Sequence, residues 1–152
     1  MKLNVGSGQY PLPGYTNIDQ YWLADISADF RDLEFSDVEE IVASHVLEHL
    51  PWRETKAALE LLAGWLAING RLIVEVPDME AMAGREFWAQ GVYGEQSHEG
   101  EFHKSGFTAA SLRSEIEDVG LKVLATRRFL SKHPARLGFP CIEVRACRAS
   151  PS

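Results

Sequence analysis

The sequence predicts an α/β fold built on a parallel sheet, and three observations carry that reading. Leu3 and Val5 alternate with polar neighbours and run into Gly6-Ser7-Gly8, a short strand ending in a turn where main chain can approach a ligand closely. Asn17-Ile18-Asp19 reads as a second short strand with a carboxylate at its exit. Further on, the apolar run from Glu39 to Ser44, an amphipathic segment from Trp52 to Ile68 and a second apolar run from Arg71 to Val76 repeat strand, helix, strand, the unit of a parallel sheet.

In an open sheet of this kind the ligand crevice lies outside the carboxyl ends of the strands, so the glycine turn and Asp19 face one space. Glycines that make room, beside an acid that accepts hydrogen bonds from both ribose hydroxyls, suit a nucleoside. A dinucleotide fingerprint would need G-x-G-x-x-G opening a helix, with its acid about 20 residues further on. Here the third glycine is absent, only eleven positions separate Gly8 from Asp19, and Pro11, Pro13 and Gly14 disfavour a helix between them. A cationic sulfonium has no need of a helix N-terminus, so S-adenosylmethionine fits better than NAD.

Taken in order, Trp22 to Ile26 is expected as a short third strand and Phe30 to Phe35 as a loop or turn. His45 to Leu50 reads as a helical turn, with Pro51 at the first position of the next helix. That helix has Ala58, Leu61, Leu62, Trp65, Leu66 and Ile68 on one face and ends at Asn69-Gly70. Glu80 to Ala89, through Met79, Met82, Ala83 and Phe87, is amphipathic enough for a helix. Gln90 to Gly106 reads as a functional loop. Thr108 caps a helix running to Val119, with Ser111, Leu112, Ile116 and Val119 inside and Gly120 as terminator. Lys122 to Phe129 and Cys141 to Arg148 are two final strands.

The 152 residues are expected to form one domain spanning 1–152; 45% are hydrophobic and 24% charged, an ordinary globular balance. No apolar run approaches the ~20 residues of a membrane span and the start lacks a signal-peptide core, so a cytoplasmic location is the default. The net charge of −7 argues against nucleic acid as partner. It is uneven: from Lys122 onward seven basic residues face Glu143 alone, so the tail carries +6 and the first 121 residues −13. The tail reads as solvated strand surface or as a patch attracting an anionic group. Cys141 and Cys147, six apart in one strand, are expected as two reduced thiols. The four tryptophans are expected in core packing.

Leu3-Asn-Val-Gly-Ser-Gly8, Asn17-Ile18-Asp19, Asp32-Leu33, Ala43-Ser-His-Val-Leu-Glu-His-Leu50, Asn69-Gly-Arg-Leu-Ile-Val-Glu-Val-Pro-Asp78 and His103-Lys-Ser-Gly-Phe-Thr108 together resemble class I S-adenosylmethionine-dependent methyltransferases, and look most like the small bacterial group with glycan-modifying members. The resemblance implies a Rossmann-like, mostly parallel seven-stranded sheet with helices on both faces and an antiparallel last strand. It places Gly6 and Gly8 beside the methionyl part of the cofactor, Asp19 at the ribose, Asp32 and Leu33 at the adenine edge and His45 nearby. Val5, Ser7, Tyr10 and Gln20 complete the expected cofactor-binding set. The helix usual before the first strand is missing and the one between strands one and two is reduced to a loop, so part of the usual lid is absent.

The expected activity is methyl transfer from S-adenosylmethionine, leaving S-adenosylhomocysteine, to a small polar acceptor such as a saccharide hydroxyl. No membrane or nucleic-acid partner and no metal is expected, and a homo-oligomer stays open. The glycine- and histidine-rich loop would cover the acceptor, with His103 as general base. One alternative is a cofactor-binding subunit without transfer activity. Another uses His45-Val-Leu-Glu-His49 as an H-x-x-E-H zinc hydrolase motif, although His45 directly follows a strand and Pro51 comes two residues after His49.

Overall fold

A computed structural model describes residues 1–83, 88–133 and 136–150. Its strands are β1 (Lys2–Val5), β2 (Thr16–Asp19), β3 (Ile26–Ser27), β4 (Val38–Ser44), β5 (Leu66–Pro77), β6 (Lys122–Leu130) and β7 (Pro140–Cys147). They form one sheet in the order β3-β2-β1-β4-β5-β7-β6. β1 to β5 pair in parallel, whereas β7 runs antiparallel to both β5 and β6. This is the mostly parallel seven-stranded sheet with an antiparallel last strand that the family resemblance implies.

One sheet face carries the core. Leu3, Val5, Ile41, Ala43, Leu72, Val74, Val144 and Ala146 are fully buried. They pack with Ala58, Leu59, Leu62 and Trp65 of α1 (Thr55–Trp65) and Leu112 and Ile116 of α4 (Ala109–Asp118). Each buried leucine, isoleucine or valine among them contributes about 1.5–3 kcal/mol on burial. Thr108 and Ser111 close a reciprocal capping box on α4, so Ser111 is an exposed capping residue and not a core one. Two short helices, α2 (Met79–Met82) and α3 (Trp88–Tyr93), follow β5; residues 84–87, including Phe87 of the expected helix, lie outside the described residues.

Other boundaries moved for identifiable reasons. The third strand is only Ile26–Ser27, because Ile26 and Ser27 alone pair with Ile18 and Asp19. Pro51 opens a turn, accepting from the Glu54 N–H, and the helix begins only at Thr55. It also ends earlier than its apolar period suggests, because Leu66 leaves helical geometry to pair with Val38. Asn69-Gly70 then marks a bulge in β5 and not a helix end: Asn69 has φ 64°, and a Cβ on Gly70 would lie 2.6 Å from the Val38 carbonyl. Of the tryptophans, Trp65 is buried but Trp52 is 69% exposed and Trp22 38%.

The opposite sheet face is polar. Lys2, Glu40 and Arg71 stand side by side there, with Glu40 3.6 Å from Lys2 Nζ and 2.8 Å from an Arg71 nitrogen and accepting the Tyr15 hydroxyl. Glu143 pairs with Arg127 at 3.1 Å and Arg145 at 2.8 Å, and Asp78 with Arg128 at 2.6 Å. Part of the basic tail is therefore matched to acids within the sheet. The Tyr15 hydrogen bond, helped by Arg71 and Lys2 against the opposing effect of burial, holds the Glu40 carboxyl below its ordinary value. A depressed folded value means that Glu40's contribution to stability is present above about pH 4.5 and is lost as the pH falls below it. Glu40→Gln is accordingly expected to flatten the acid limb of a stability-against-pH curve followed by circular dichroism; an unchanged limb would show that the pairing contributes nothing there.

Cys141 is buried and Cys147 half-buried, both as free thiols in β7. Among the described residues no helix is long and apolar enough to cross a membrane.

Candidate functional site

A cleft of about 1190 Å³ opens at the carboxyl ends of β1, β2 and β4. Gly6, Ser7, Gly8, Tyr10, Asp19, Gln20, His45 and His103 all line it. Val5, Asp32 and Leu33 do not. Val5 is fully buried on the core face, Asp32 is exposed at the end of the single 3-10 turn Phe30–Asp32, and Leu33 packs against the core. The wall expected from Asp32 and Leu33 is made instead by Ala28, Asp29, Phe30 and Arg31. Asp29 caps that turn by accepting from the Arg31 N–H and pairs with the Arg31 guanidinium at 2.6 Å.

The β1–β2 connection is a loop without a helix, held by main-chain bonds. Ser7 N–H donates to the Ile18 carbonyl and Tyr10 N–H to the Ser7 carbonyl. Gly6 has φ 66°, and a Cβ there would sit 2.5 Å from a Val46 methyl, so only glycine fits between β1 and the segment after β4. Gly8 has φ 53°, and a Cβ there would meet nothing within 4 Å among the described residues. Its N–H donates to Asp19 Oδ2 at 2.8 Å, while the Tyr21 and Trp22 N–H groups donate to Asp19 Oδ1 at 2.8 and 2.9 Å. Three of the roughly four acceptor positions of this carboxylate are thus in use, which leaves one on Oδ2 for a ligand.

His45 lies at the end of β4 with φ 55°, a left-handed conformation rare for a residue with a side chain. Both ring nitrogens are engaged within the protein. Nδ1 is 2.8 Å from Glu48 Oε1, and Nε2 is 3.2 Å from Glu75 Oε1 and 3.7 Å from Cys141 Sγ. Burial favours the neutral ring, but Glu48, Cys141 and Glu75 outweigh it and raise His45 well above the usual histidine range. Glu48 is correspondingly pulled down: burial opposes its charge, and His45, then His49 and His103, overcome that. The pair is a buried imidazolium and carboxylate. His45 therefore offers a ligand little beyond its main chain and ring edge.

Leu47–His49 forms another single 3-10 turn. The segment after α3 is tied to it: Lys104 and Ser105 N–H groups donate to the Glu48 carbonyl, and Ser105 Oγ donates to the Leu47 carbonyl. His103 is thereby set against His49, their ring centroids 4.9 Å apart at 74°. Its Nδ1 is 2.9 Å from the Gly91 carbonyl, and burial pushes its pKa down, so it is a neutral ring. The H-x-x-E-H histidines do not gather as a zinc pair. His45 belongs with Glu75 and Cys141, whereas His49 and Glu48 belong with His103.

Sequence reasoning missed Asp29, Glu75 and Cys141 as neighbours of the site. Glu75 and Cys141 stand at the ends of β5 and β7, and strand ends were the available signal. Tyr10, 44% exposed, meets the His133 ring edge-on at 4.3 Å.

Nine carboxylates line the cleft against four lysines and arginines and the His45 imidazolium, an excess that favours a cationic ligand. The residues suit a sulfonium nucleoside on that ground and on the remaining Asp19 acceptor position.

The fold is that of class I S-adenosylmethionine-dependent methyltransferases. The 1,6-didemethyltoxoflavin-N1-methyltransferase of Burkholderia thailandensis, solved with 1,6-didemethyltoxoflavin and S-adenosylhomocysteine, superimposes with a TM-score of 0.70 at 13% identity over 98% of this chain and 71% of its own. A methyltransferase from Methanosarcina mazei gives 0.72 at 13% identity over 99% and 92%. The N-methyltransferase NodS of Bradyrhizobium japonicum, in complex with S-adenosylhomocysteine, gives 0.67 at 14% identity over 98% and 78%. No family model matches the chain, and no curated protein matches it in sequence.

Proposed function

We propose that this protein transfers the methyl group of S-adenosylmethionine to a small polar acceptor. The observation that carries the reading is the junction of β1 and β2, where Gly8 N–H and the Asp19 carboxylate are bonded at 2.8 Å and both residues line the cleft. Gly6, Ser7 and Gly8 would pass beside the methionyl part, Asp19 would accept one ribose hydroxyl with Gln20 beside it, and Asp29–Arg31 would edge the base. The bound cofactor supplies an electrophilic methyl group; the chain's part is to align the acceptor with it, which is worth several kcal/mol. Two of the similar structures are named as N-methyltransferases, so nitrogen joins oxygen, including a saccharide hydroxyl, as the acceptor atom. The net charge of −7 supports a small molecule over nucleic acid.

His103 lines the same cleft and, with Nδ1–H donating to the Gly91 carbonyl, keeps its Nε2 lone pair available as a base. His103→Ala is expected to lower turnover by about 10² to 10⁴ and leave S-adenosylhomocysteine affinity within about twofold. Unchanged turnover ends that role. Incorporation of labelled methyl into acceptor pools tests the activity itself.

A second reading, a nucleoside-binding subunit without transfer, draws on the helix-free β1–β2 loop, which leaves Asn4, Val42 and Ile73 of the sheet lining the cleft. Tight S-adenosylhomocysteine binding with no incorporation from any acceptor would favour it.

A further inference from the structure

We propose that Glu48, His49 and His103 form a site for a divalent transition metal ion of the zinc type, with an open coordination position facing the cleft. Glu48 is 1% exposed; its Oε1 is taken by His45 Nδ1, but Oε2 is buried without a hydrogen-bond partner among the described residues. An unsatisfied buried carboxylate oxygen is costly to keep, so a native protein that retains one invites a ligand there. One ligand atom from each of Glu48, His49 and His103 lies within 4.8 Å of the others, and all three residues line the cleft.

The two imidazoles are prepared in the same way. His49 Nδ1 is 3.1 Å from the Phe102 carbonyl and His103 Nδ1 is 2.9 Å from the Gly91 carbonyl. With Nδ1–H donated to main chain, each ring keeps its Nε2 lone pair free, the arrangement by which metal-binding histidines are oriented. His45, through Glu48 Oε1, plays the corresponding part for the carboxylate. Two imidazoles and one carboxylate are the donor set of zinc sites that keep a fourth position open. Ligand atoms about 2.1 Å from a tetrahedral ion lie about 3.4 Å apart, so side-chain adjustments of about an ångström close the site.

The nearby group of His45, Glu75 and Cys141 carries no such inference, because its polar atoms already satisfy one another. H-x-x-E-H is thus used differently from a metalloprotease helix: its last two residues join the distant His103, and its first histidine only positions the glutamate.

Ion binding stands on this geometry alone; that the open position would take the acceptor's oxygen or nitrogen rests on the methyl-transfer reading. An ion there would occupy the His103 lone pair and lower the acceptor's pKa in its place.

The test is titration of the chelator-stripped full chain with zinc alone, in competition with a chromophoric chelator. One zinc per chain is expected, with His49→Ala and His103→Ala each weakening it about 100-fold or more and His98→Ala leaving it unchanged. The two histidine variants keep the test readable if Glu48→Gln does not fold. Zinc uptake that is absent, or that neither histidine variant alters, overturns the proposal. S-adenosylhomocysteine titration of the same samples separates the two readings: nucleoside binding without zinc sinks the metal site alone, and zinc binding without nucleoside supports it while sinking the cofactor reading.

Discussion

Asp19→Ala is expected to lose nucleoside affinity by about 100-fold or more and to destabilise the chain by about 3 kcal/mol. Asp19 is 8% exposed, and its carboxylate accepts the N–H groups of Gly8, Tyr21 and Trp22. Hydrogen bonds to a charged group contribute about 1.5–3 kcal/mol each, and water entering the loop will replace part of that. The affinity loss has two sources: the ribose loses its acceptor, and the Gly8 turn loses the bond that fixes it. Asp19→Asn separates the affinity loss from the loss of stability. Its amide keeps an oxygen for Tyr21 and Trp22 but turns a donor toward the Gly8 N–H, so it should be less destabilised than Asp19→Ala and still bind poorly. Chemical denaturation and calorimetry on both variants read the two effects. An Asp19→Asn protein that binds S-adenosylhomocysteine like wild type would remove Asp19 from the ligand site.

His45→Ala should cost about 3–5 kcal/mol, the larger stability effect. His45 and Glu48 have side chains 9% and 1% exposed and form an ion pair at 2.8 Å. Removing the imidazolium strands a buried carboxylate, and breaking such a pair costs far more than replacing both members by apolar residues. The double variant H45L/E48L is therefore expected to recover most of the loss, as measured by urea midpoints. If His45→Ala is as stable as wild type, the buried pair does not exist as described.

Most of the sheet was legible because each parallel strand announces itself as a short apolar run bounded by turn residues, as in Ile41-Val42-Ala43 before Ser44. What was misread depended on pairing between distant residues. Leu66 looks helical by period and becomes strand because Val38 is there to receive it. Ser111 looks internal by spacing and is exposed because Thr108 uses it as a cap. The turn after β3 brings Asp29 to Arg31, and not Asp32 and Leu33, to the cleft, because Asp29 caps the turn and Leu33 packs against the core. At the site, Gly6, Gly8 and Asp19 were readable from local chemistry. The separation of His45 from His49 was not: an i, i+4 spacing implies one helix face, whereas a left-handed His45 and a 3-10 turn send the two rings to different partners.

The most direct measurement is calorimetric titration of the purified wild-type chain with S-adenosylhomocysteine. A cleft at the mouths of β1 and β2 that holds this nucleoside predicts saturable binding of one molecule per chain, abolished in Asp19→Ala and strongly weakened in Asp19→Asn. A well-folded wild-type chain that takes up no S-adenosylhomocysteine contradicts it.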